Sequence, residues 1–260
     1  MKQMIYQVYV GKPSKLYDTC VESVANYCKA HDIDHIVQRT PILKIKPDVF
    51  STNRSKESYE KHGGFLPIFE KENALDYFDR YDQICIVDAD IFIRPGSPNI
   101  FDQLNLNVDF AGVVEREMPI QDWYKQKIIG YSKMQYQSLH PNPDFEPNKL
   151  GYEFYNMGLM LMNKSITKHM KGQSARDFIT RSEFKDFVDG QGPWKWSTDQ
   201  TLLNYWVRKS KMKQQHLDWK WNALYTAVKE PKKAHFVHFF LKDKLPNKGE
   251  NVEQLLKDVL

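Results

Sequence analysis

Cysteine is scarce: Cys20, Cys28 and Cys85 are the three in a chain of 260 residues. An odd count sets up no paired disulfide framework. Cys20 and Cys28 lie on an expected helix about 12 Å apart along its axis, too far for a bridge. A reducing compartment is the simpler expectation. Long apolar runs are also missing. Met157 to Met162 is far too short to cross a bilayer. No signal-peptide pattern opens the chain, because Met1-Lys2-Gln3-Met4 leads straight into a strand. The expectation is a soluble, cytoplasmic protein without a transmembrane segment. Charge excess is small, at net +4 from 37 basic and 33 acidic residues, which is no nucleic-acid signature. Repeats, low-complexity tracts and linkers are absent, so residues 1–260 are expected to form a single domain.

What is present is material for a large core. Hydrophobic residues make up 41% of the chain and aromatics 13%. Some of that aromatic excess is expected outside the core, where Tyr and Trp faces stack on ligands. Basic residues cluster late, at Lys209 to Lys213 and between Lys229 and Lys248. They form either a solvated face or a contact for a phosphorylated ligand.

The pattern is α/β. Ile5 to Val10 reads as a strand, broken at Gly11-Lys12-Pro13. Ser14 is placed to cap the next helix, whose inner face is Leu16, Cys20, Val21, Val24, Tyr27 and Cys28. His35 to Arg39 is the following strand. This strand–helix–strand start predicts a sheet covered by helices. Residues 41 to 66 read as irregular. Lys71 to Arg80 reads as a helix with Ala74, Leu75 and Phe78 inward. Ile84 to Val87 is a strand buried on both faces. Ser97-Pro98 should open a short helix, and Asp109 to Val114 a strand. Residues 115 to 150 show little periodicity, as a functional segment would. Phe154 to Met162 is a strand, 173 to 187 and 198 to 209 are helical, and His235 to Phe240 is a late strand.

The chemistry centres on Asp88-Ala89-Asp90. Two carboxylates two residues apart, at the end of a buried strand, point to one side of the chain. Ligands of open α/β sheets bind outside the carboxyl ends of strands. Such a pair suits a hard cation that bridges a diphosphate. Asp-x-Asp alone also occurs in many solvated turns.

The stretch from Tyr81 to Ile91 resembles the apolar strand and Asp-x-Asp of GT-A glycosyltransferases, a Rossmann-like mixed sheet flanked by helices. The resemblance is strongest to the family 8 type of glycogenin and bacterial lipopolysaccharide galactosyltransferases. Tyr155-Asn156-Met157-Gly158-Leu159-Met160-Leu161-Met162-Asn163 is similar to that family's Phe-Asn-x-Gly-apolar-apolar motif. Thr198-Asp199-Gln200-Thr201-Leu202-Leu203-Asn204 resembles its Asp-Gln-x-x-Leu-Asn segment. His238-Phe239-Phe240 sits where the family has a late His. The chain also resembles glycosyltransferases with which large algal viruses decorate their capsids, which would place it in the host cytoplasm.

The resemblance implies a metal-dependent transfer of a sugar from a nucleoside-diphosphate sugar to a glycan or other hydroxyl acceptor. It implies a donor-binding half at about 1–115 and an acceptor side at about 115–260. Asp88, Asp90 and His238 would hold the metal, with Asp88 also touching the ribose. Manganese fits this mixed set better than calcium, with magnesium as an alternative. Lys71 would lie near the donor, and Tyr9 and Val10 near the base. Asn156, Asp199 and Gln200 would surround the transferred sugar. The loop after His238 departs from the family pattern, leaving Lys242 or Lys244 to meet the diphosphate. Retention is implied, with the Gln200 carbonyl beneath the anomeric carbon. Inversion would need a base such as Asp199, Glu115, Glu117 or Asp122.

Plainer readings stand beside these. His235 rivals His238, and a late His is often structural. Asn156 could bond backbone, Asp199 could be a helix-start acid, Gly158 could permit close packing, and Lys71 could be a surface lysine. Trp194, Trp196, Trp219 and Trp221 could line an acceptor groove or pack the core. Two other functions fit part of the pattern: a phosphatase or phosphotransferase with Asp88 as nucleophile, and a non-catalytic carbohydrate-binding protein.

Overall fold

The computed structural model describes every residue except 49–59, 61, 197 and 198, together with the side chains of 195 and 196. Trp196, Thr198 and the middle of the 41 to 66 segment therefore lie outside the described residues.

The chain opens as expected: β1 (Gln3–Val8), α1 (Lys15–His31) and β2 (Asp34–Gln38). The six predicted inner-face residues of α1 are all buried. Its capping differs from expectation. Ser14 sits at the N-cap, but its hydroxyl donates to Glu250 rather than accepting from the helix. The helix expected at 71 to 80 is a tighter 3-10 run over Pro67–Asp79. Ala74, Leu75 and Phe78 are buried there, but so are Glu70, Lys71, Glu72 and Asn73. Partners on different sides pull Glu70, Lys71 and Asn73 inward, so no single apolar face winds the segment. Glu70, for example, accepts from the amides of Ile42, Leu43 and Lys44 and from the Gln38 side chain.

Next come β3 (Gln83–Val87), β4 (Ile91–Ile93), a helical turn at Ile100–Gln103 and β5 (Phe110–Val114). Asn99 caps that turn by accepting from the Phe101 amide. Ser97 instead donates to the Arg94 carbonyl, so the expected Ser97-Pro98 start is displaced. The 115 to 150 segment is not irregular: it contains α2 (Asp122–Tyr136). Its buried face includes Ser132 and Gln135 beside Tyr124, Ile128 and Tyr136, which dilutes the apolar period that would reveal a helix. Then follow β6 (Pro147–Asn148), β7 (Gly151–Tyr152) and β8 (Tyr155–Asn163). The 173 to 187 helix is split into α3 (Ala175–Ile179) and α4 (Lys185–Asp189). After α5 (Asp199–Lys209) come β9 (Gln214–His216), β10 (Ala223–Leu224), β11 (Phe236–His238) and α6 (Val252–Val259). No described helix is long and apolar enough to cross a membrane.

Six strands form the main sheet in the order β2-β1-β3-β8-β5-β9. It is mixed, with β8 antiparallel to both neighbours and the other pairs parallel. β3 shows why it sits centrally: Ile84 and Ile86 enter one core, Cys85 and Val87 the other. The first core lies under the 67–79 run, α3, α4 and α5; the second lies under α1, α2 and a small sheet of order β10-β11-β4.

Asp109, just before β5, anchors the far edge of the sheet. Its buried carboxylate accepts from Lys168 (2.8 Å), Ser165 (2.7 Å), His169 (3.1 Å) and the Lys213 amide (3.1 Å). Burial pushes its pKa up, but these donors outweigh that and hold it well below the usual carboxylate range. A depressed pKa stabilises the fold fully above the unfolded carboxyl's value, about 3.9, and the benefit is lost progressively as pH falls from there through the lower folded-state value. Asp109→Asn should therefore cost about 2–3 kcal/mol at neutral pH, and the gap from wild type should begin to narrow below about pH 4 and shrink further as the pH falls. Urea unfolding across pH reads both; a gap unchanged at pH 3 would refute the account.

Candidate functional site

The site is assembled by strand register. β3 ends in a tight turn, Asp88 to Ile91, closed by the Ile91 amide on the Asp88 carbonyl at 3.1 Å. β4 then runs antiparallel to β11, pairing Ile91 with His238. The Phe239 amide donates to the Asp90 carbonyl at 2.9 Å. His238 is thus carried to the Asp88-Ala89-Asp90 turn although 147 residues separate it from Ile91. Its Nε2 lies 3.2 Å from Asp90 Oδ1 and 3.9 Å from Asp88 Oδ2. One ligating atom from each of Asp88, Asp90 and His238 falls within 4.8 Å of the others. His235 is not in this group; it packs on Trp221 with ring centroids 4.8 Å apart.

The imidazole is oriented from behind. Its Nδ1 meets Asn222 Oδ1 at 3.2 Å. The Asn222 amide nitrogen donates to Asn156, at 3.0 Å to Oδ1 and 3.2 Å to the carbonyl. That network assigns the proton to Nδ1 and turns Nε2 toward the acids. Gly158 makes room for the ring: a Cβ there would lie 2.5 Å from His238 Cε1. Burial disfavours charge on both Asp90 and His238, yet their mutual attraction wins, lowering the Asp90 pKa and raising that of His238. A cation among the three would replace the proton this pair shares, so the donor set fits a divalent metal.

Lys71 stands on the other side of Asp88 and is buried, not a surface lysine. Its ammonium pairs with the Asp199 carboxylate (2.6 Å) and donates to Asp88 (3.2 Å) and the Met157 carbonyl (2.7 Å). That carbonyl is available because β8 is irregular: Ala111 pairs with Leu161, but Val113 pairs with Asn156. The extra residues bend the strand beside the site. Burial would lower the Lys71 pKa, but Asp199, Asp88 and Glu72 outweigh it and hold the ammonium above its usual range. Glu72 is fully buried, and neither of its oxygens has a hydrogen-bond partner among the described residues. Burial, then the nearby Asp199 charge, push its pKa well above the usual carboxylate range.

Asp199 and Gln200 ride on the first turn of α5. Asn204, one turn on, clamps that helix to the sheet by accepting from the Tyr155 amide and donating to the Tyr155 carbonyl. Gln200 accepts from the Met157 amide at 3.1 Å and donates to Tyr131 at 3.3 Å. Asn156 bonds side chains as well as backbone, donating to Glu115 at 2.9 Å. Glu115 also accepts from the Tyr124 hydroxyl, and burial raises its pKa despite both donors. Glu117 and Asp122 are largely exposed and paired with Arg116 and Lys125.

Two cavities meet at this wall. One, about 260 Å³, is lined by Val8, Val10, Tyr17, Ile68 and the Asp88 to Asp90 turn. The other, about 490 Å³, is lined by Glu115, Tyr124, Tyr131, Asn156, Gln200 and His238. Lys71, Asp88 and Asp199 face both. A further cleft of about 580 Å³, between α1 and residues 92–98, is larger but touches none of the predicted site residues.

Not every candidate gathers here. Val10 and Ala89 line the smaller cavity, but Tyr9 does not; its hydroxyl serves the Ser14 backbone and its ring stacks under Arg39. Lys242 reaches the site side, its ammonium 3.9 Å from the Tyr17 ring. Lys244 lines a different groove, because the 3-10 turn Lys242–Lys244 points the two apart. Trp194, Trp219 and Trp221 pack against the cores instead of an acceptor groove. Sequence reasoning missed Asn222, Tyr124, Tyr131 and Glu72. Only Glu72, next to a singled-out lysine, carried any local signal.

No family model and no curated protein matches the chain. Solved structures do. One is a glycosyltransferase involved in the glycosylation of the major capsid of PBCV-1, with TM-score 0.56 and 13% identity, covering 98% of this chain and 100% of the other. Another is the glycosyltransferase GlyE of Streptococcus pneumoniae TIGR4, with TM-score 0.51 and 14% identity, covering 100% of this chain and 60% of the other. At such identities the likeness is one of fold, and the fold of this chain is that of the GT-A glycosyltransferases.

Proposed function

We propose that the protein is a metal-dependent glycosyltransferase that moves a sugar from a nucleoside-diphosphate sugar to a hydroxyl of a glycan. The observation that carries this reading is the convergence of Asp88, Asp90 and His238 at the junction of two cavities. The smaller cavity suits the nucleotide and the larger one the sugar and its acceptor. Manganese or magnesium held by the three residues would supply Lewis-acid stabilisation to the leaving diphosphate. Mixed carboxylate and imidazole donors favour manganese over calcium.

The chain's own groups supply the rest. Lys242, beside the turn, adds positive charge where the diphosphate would lie. Lys71 fixes Asp88 and Asp199 in place, and Asp199 and Gln200 line the space for the transferred sugar. Retention is the favoured outcome. Inversion needs a free carboxylate on the acceptor side; Asp199 is paired with Lys71, Glu115 has both oxygens engaged, and Glu117 and Asp122 pair with cations at the surface.

A panel of nucleotide sugars with manganese, read by donor hydrolysis and thermal stabilisation, tests the reading. At least one donor should be hydrolysed and should stabilise the fold only with metal. Asp90→Asn should lower metal-dependent nucleotide affinity at least tenfold; unchanged affinity would sink the metal assignment. Phosphate release from a simple phosphomonoester would favour a phosphatase instead.

A further inference from the structure

A third groove, of about 460 Å³, lies beyond the larger cavity and is lined by Gln121, Trp123, Tyr225, Lys229, Lys244 and Asp258, among others. We propose that it binds the distal units of an acidic glycan acceptor. This rests on the glycosyltransferase reading and names the acceptor's chemical class.

Continuity is the first argument. Trp123 faces this groove while its neighbour Tyr124 lines the larger cavity. The rings form a row leading to the metal-binding turn. Centroids are 5.5 Å apart for Trp123 and Tyr124, 5.9 Å for Tyr124 and Phe240, and 5.9 Å for Phe240 and His238. A chain with one end at Asp88 and Asp90 would run along that row to Trp123.

The chemistry of the lining is the second argument. Trp123 is 41% exposed, unusual for so large an apolar ring. It is held in place, its Nε1 donating to Gln121 at 3.2 Å and Lys127 standing 5.1 Å from the ring centroid. A fixed indole face is a platform for a sugar ring and loses little freedom on binding. The charges facing the groove favour an anion. Lys229 and Lys244 form no ion pair within 4.0 Å among the described residues, although Lys229 stands near enough to Asp122 to help lower its pKa. Asp258 is the opposing acid, and both its oxygens are engaged, by Tyr225 at 2.6 Å and Gln254 at 3.0 Å. Asp122, nearby on α2, is paired with Lys125.

The test uses the full chain and a panel of oligosaccharides of matched length, neutral or bearing carboxylate or phosphate, with binding read by saturation-transfer NMR. Wild type should bind acidic members at least tenfold more tightly than neutral ones. Trp123→Ala should weaken both classes about tenfold. Lys229→Ala should weaken only the acidic class and flatten its salt dependence. Equal binding of the two classes, no binding of any glycan, or unchanged binding in Trp123→Ala overturns the proposal. So does equal affinity for a single-stranded DNA oligonucleotide. Donor hydrolysis without acceptor should be untouched in both variants. Its absence from wild type, with glycan binding intact, would strike the catalytic reading and leave the groove standing.

Discussion

Lys71→Met is expected to destabilise the fold by about 3–5 kcal/mol, the usual cost of removing one partner of a buried charge pair. Lys71 is the ammonium shared by Asp88 and Asp199, with Glu72 behind it. Without it, Asp199 keeps a buried carboxylate whose Oδ2 has no hydrogen-bond donor among the described residues. Methionine nearly preserves the volume, so a cavity contributes little and the loss reports electrostatics. Arginine should not rescue, because its planar fork cannot take the place of a compact ammonium among three close acceptors. The double variant Lys71→Met with Asp199→Asn should recover part of the loss, giving a coupling of about 1–3 kcal/mol. Chemical unfolding of the four proteins measures it. A single-variant cost below about 1 kcal/mol, or strict additivity, would show that the acids are solvated in a way the packing denies.

Gly158→Ala is expected to remove metal binding while leaving a folded protein. The added Cβ would sit 2.5 Å from Cε1 and 2.8 Å from Nδ1 of His238, and 3.0 Å from Asn156 Oδ1. The ring cannot retreat easily, since it is buried and tied to Asn222. Displacing it breaks the ligand and its orienting bond together, which should cost at least tenfold to a hundredfold in metal affinity. Overpacking should cost about 1–3 kcal/mol of stability. Manganese titration followed by electron paramagnetic resonance reads the affinity without any nucleotide. Gly130→Ala, on α2 with nothing within 4 Å of the added carbon, is the control and should bind manganese as wild type does. Equal affinity in the two variants would mean that His238 is not a ligand.

The central sheet was readable from the chain because β3 and β8 carry the apolar runs Ile84 to Val87 and Met157 to Met162, buried on both faces, and such runs have few other places to go. α1 was readable because its inner face is purely apolar. α2 was not, because Ser132 and Gln135 occupy inward positions and bond to Gly151's neighbour and to Thr201 across the fold. Lys71 to Arg80 reads as an ordinary helix because nothing local shows that Glu70 and Asn73 have partners on β2, β1 and the loop beyond. In the site, the acidic turn announces itself through its spacing. Asn222 does not. It sits in a short linking stretch beside two tryptophans, and its relation to His238 exists only once β10 lies beside β11. Lys244 illustrates the opposite failure: two lysines two residues apart look interchangeable until a turn sends them to different grooves.

The Asn204 clamp ties Asp199 and Gln200 to the start of β8 through both backbone polar groups of one residue, Tyr155. The two side chains proposed to face the transferred sugar are therefore indexed to the sheet and, through Gln200–Tyr131 and Thr201–Gln135, to α2, while Trp123, Lys229 and Lys244 wall an outer groove that neither of the two lines. Descendants of such a chain could exchange the outer walls residue by residue and never disturb the placement of these two. Divergence in what is glycosylated would then be cheap, and divergence in how the donor is held would require rebuilding the centre of the molecule.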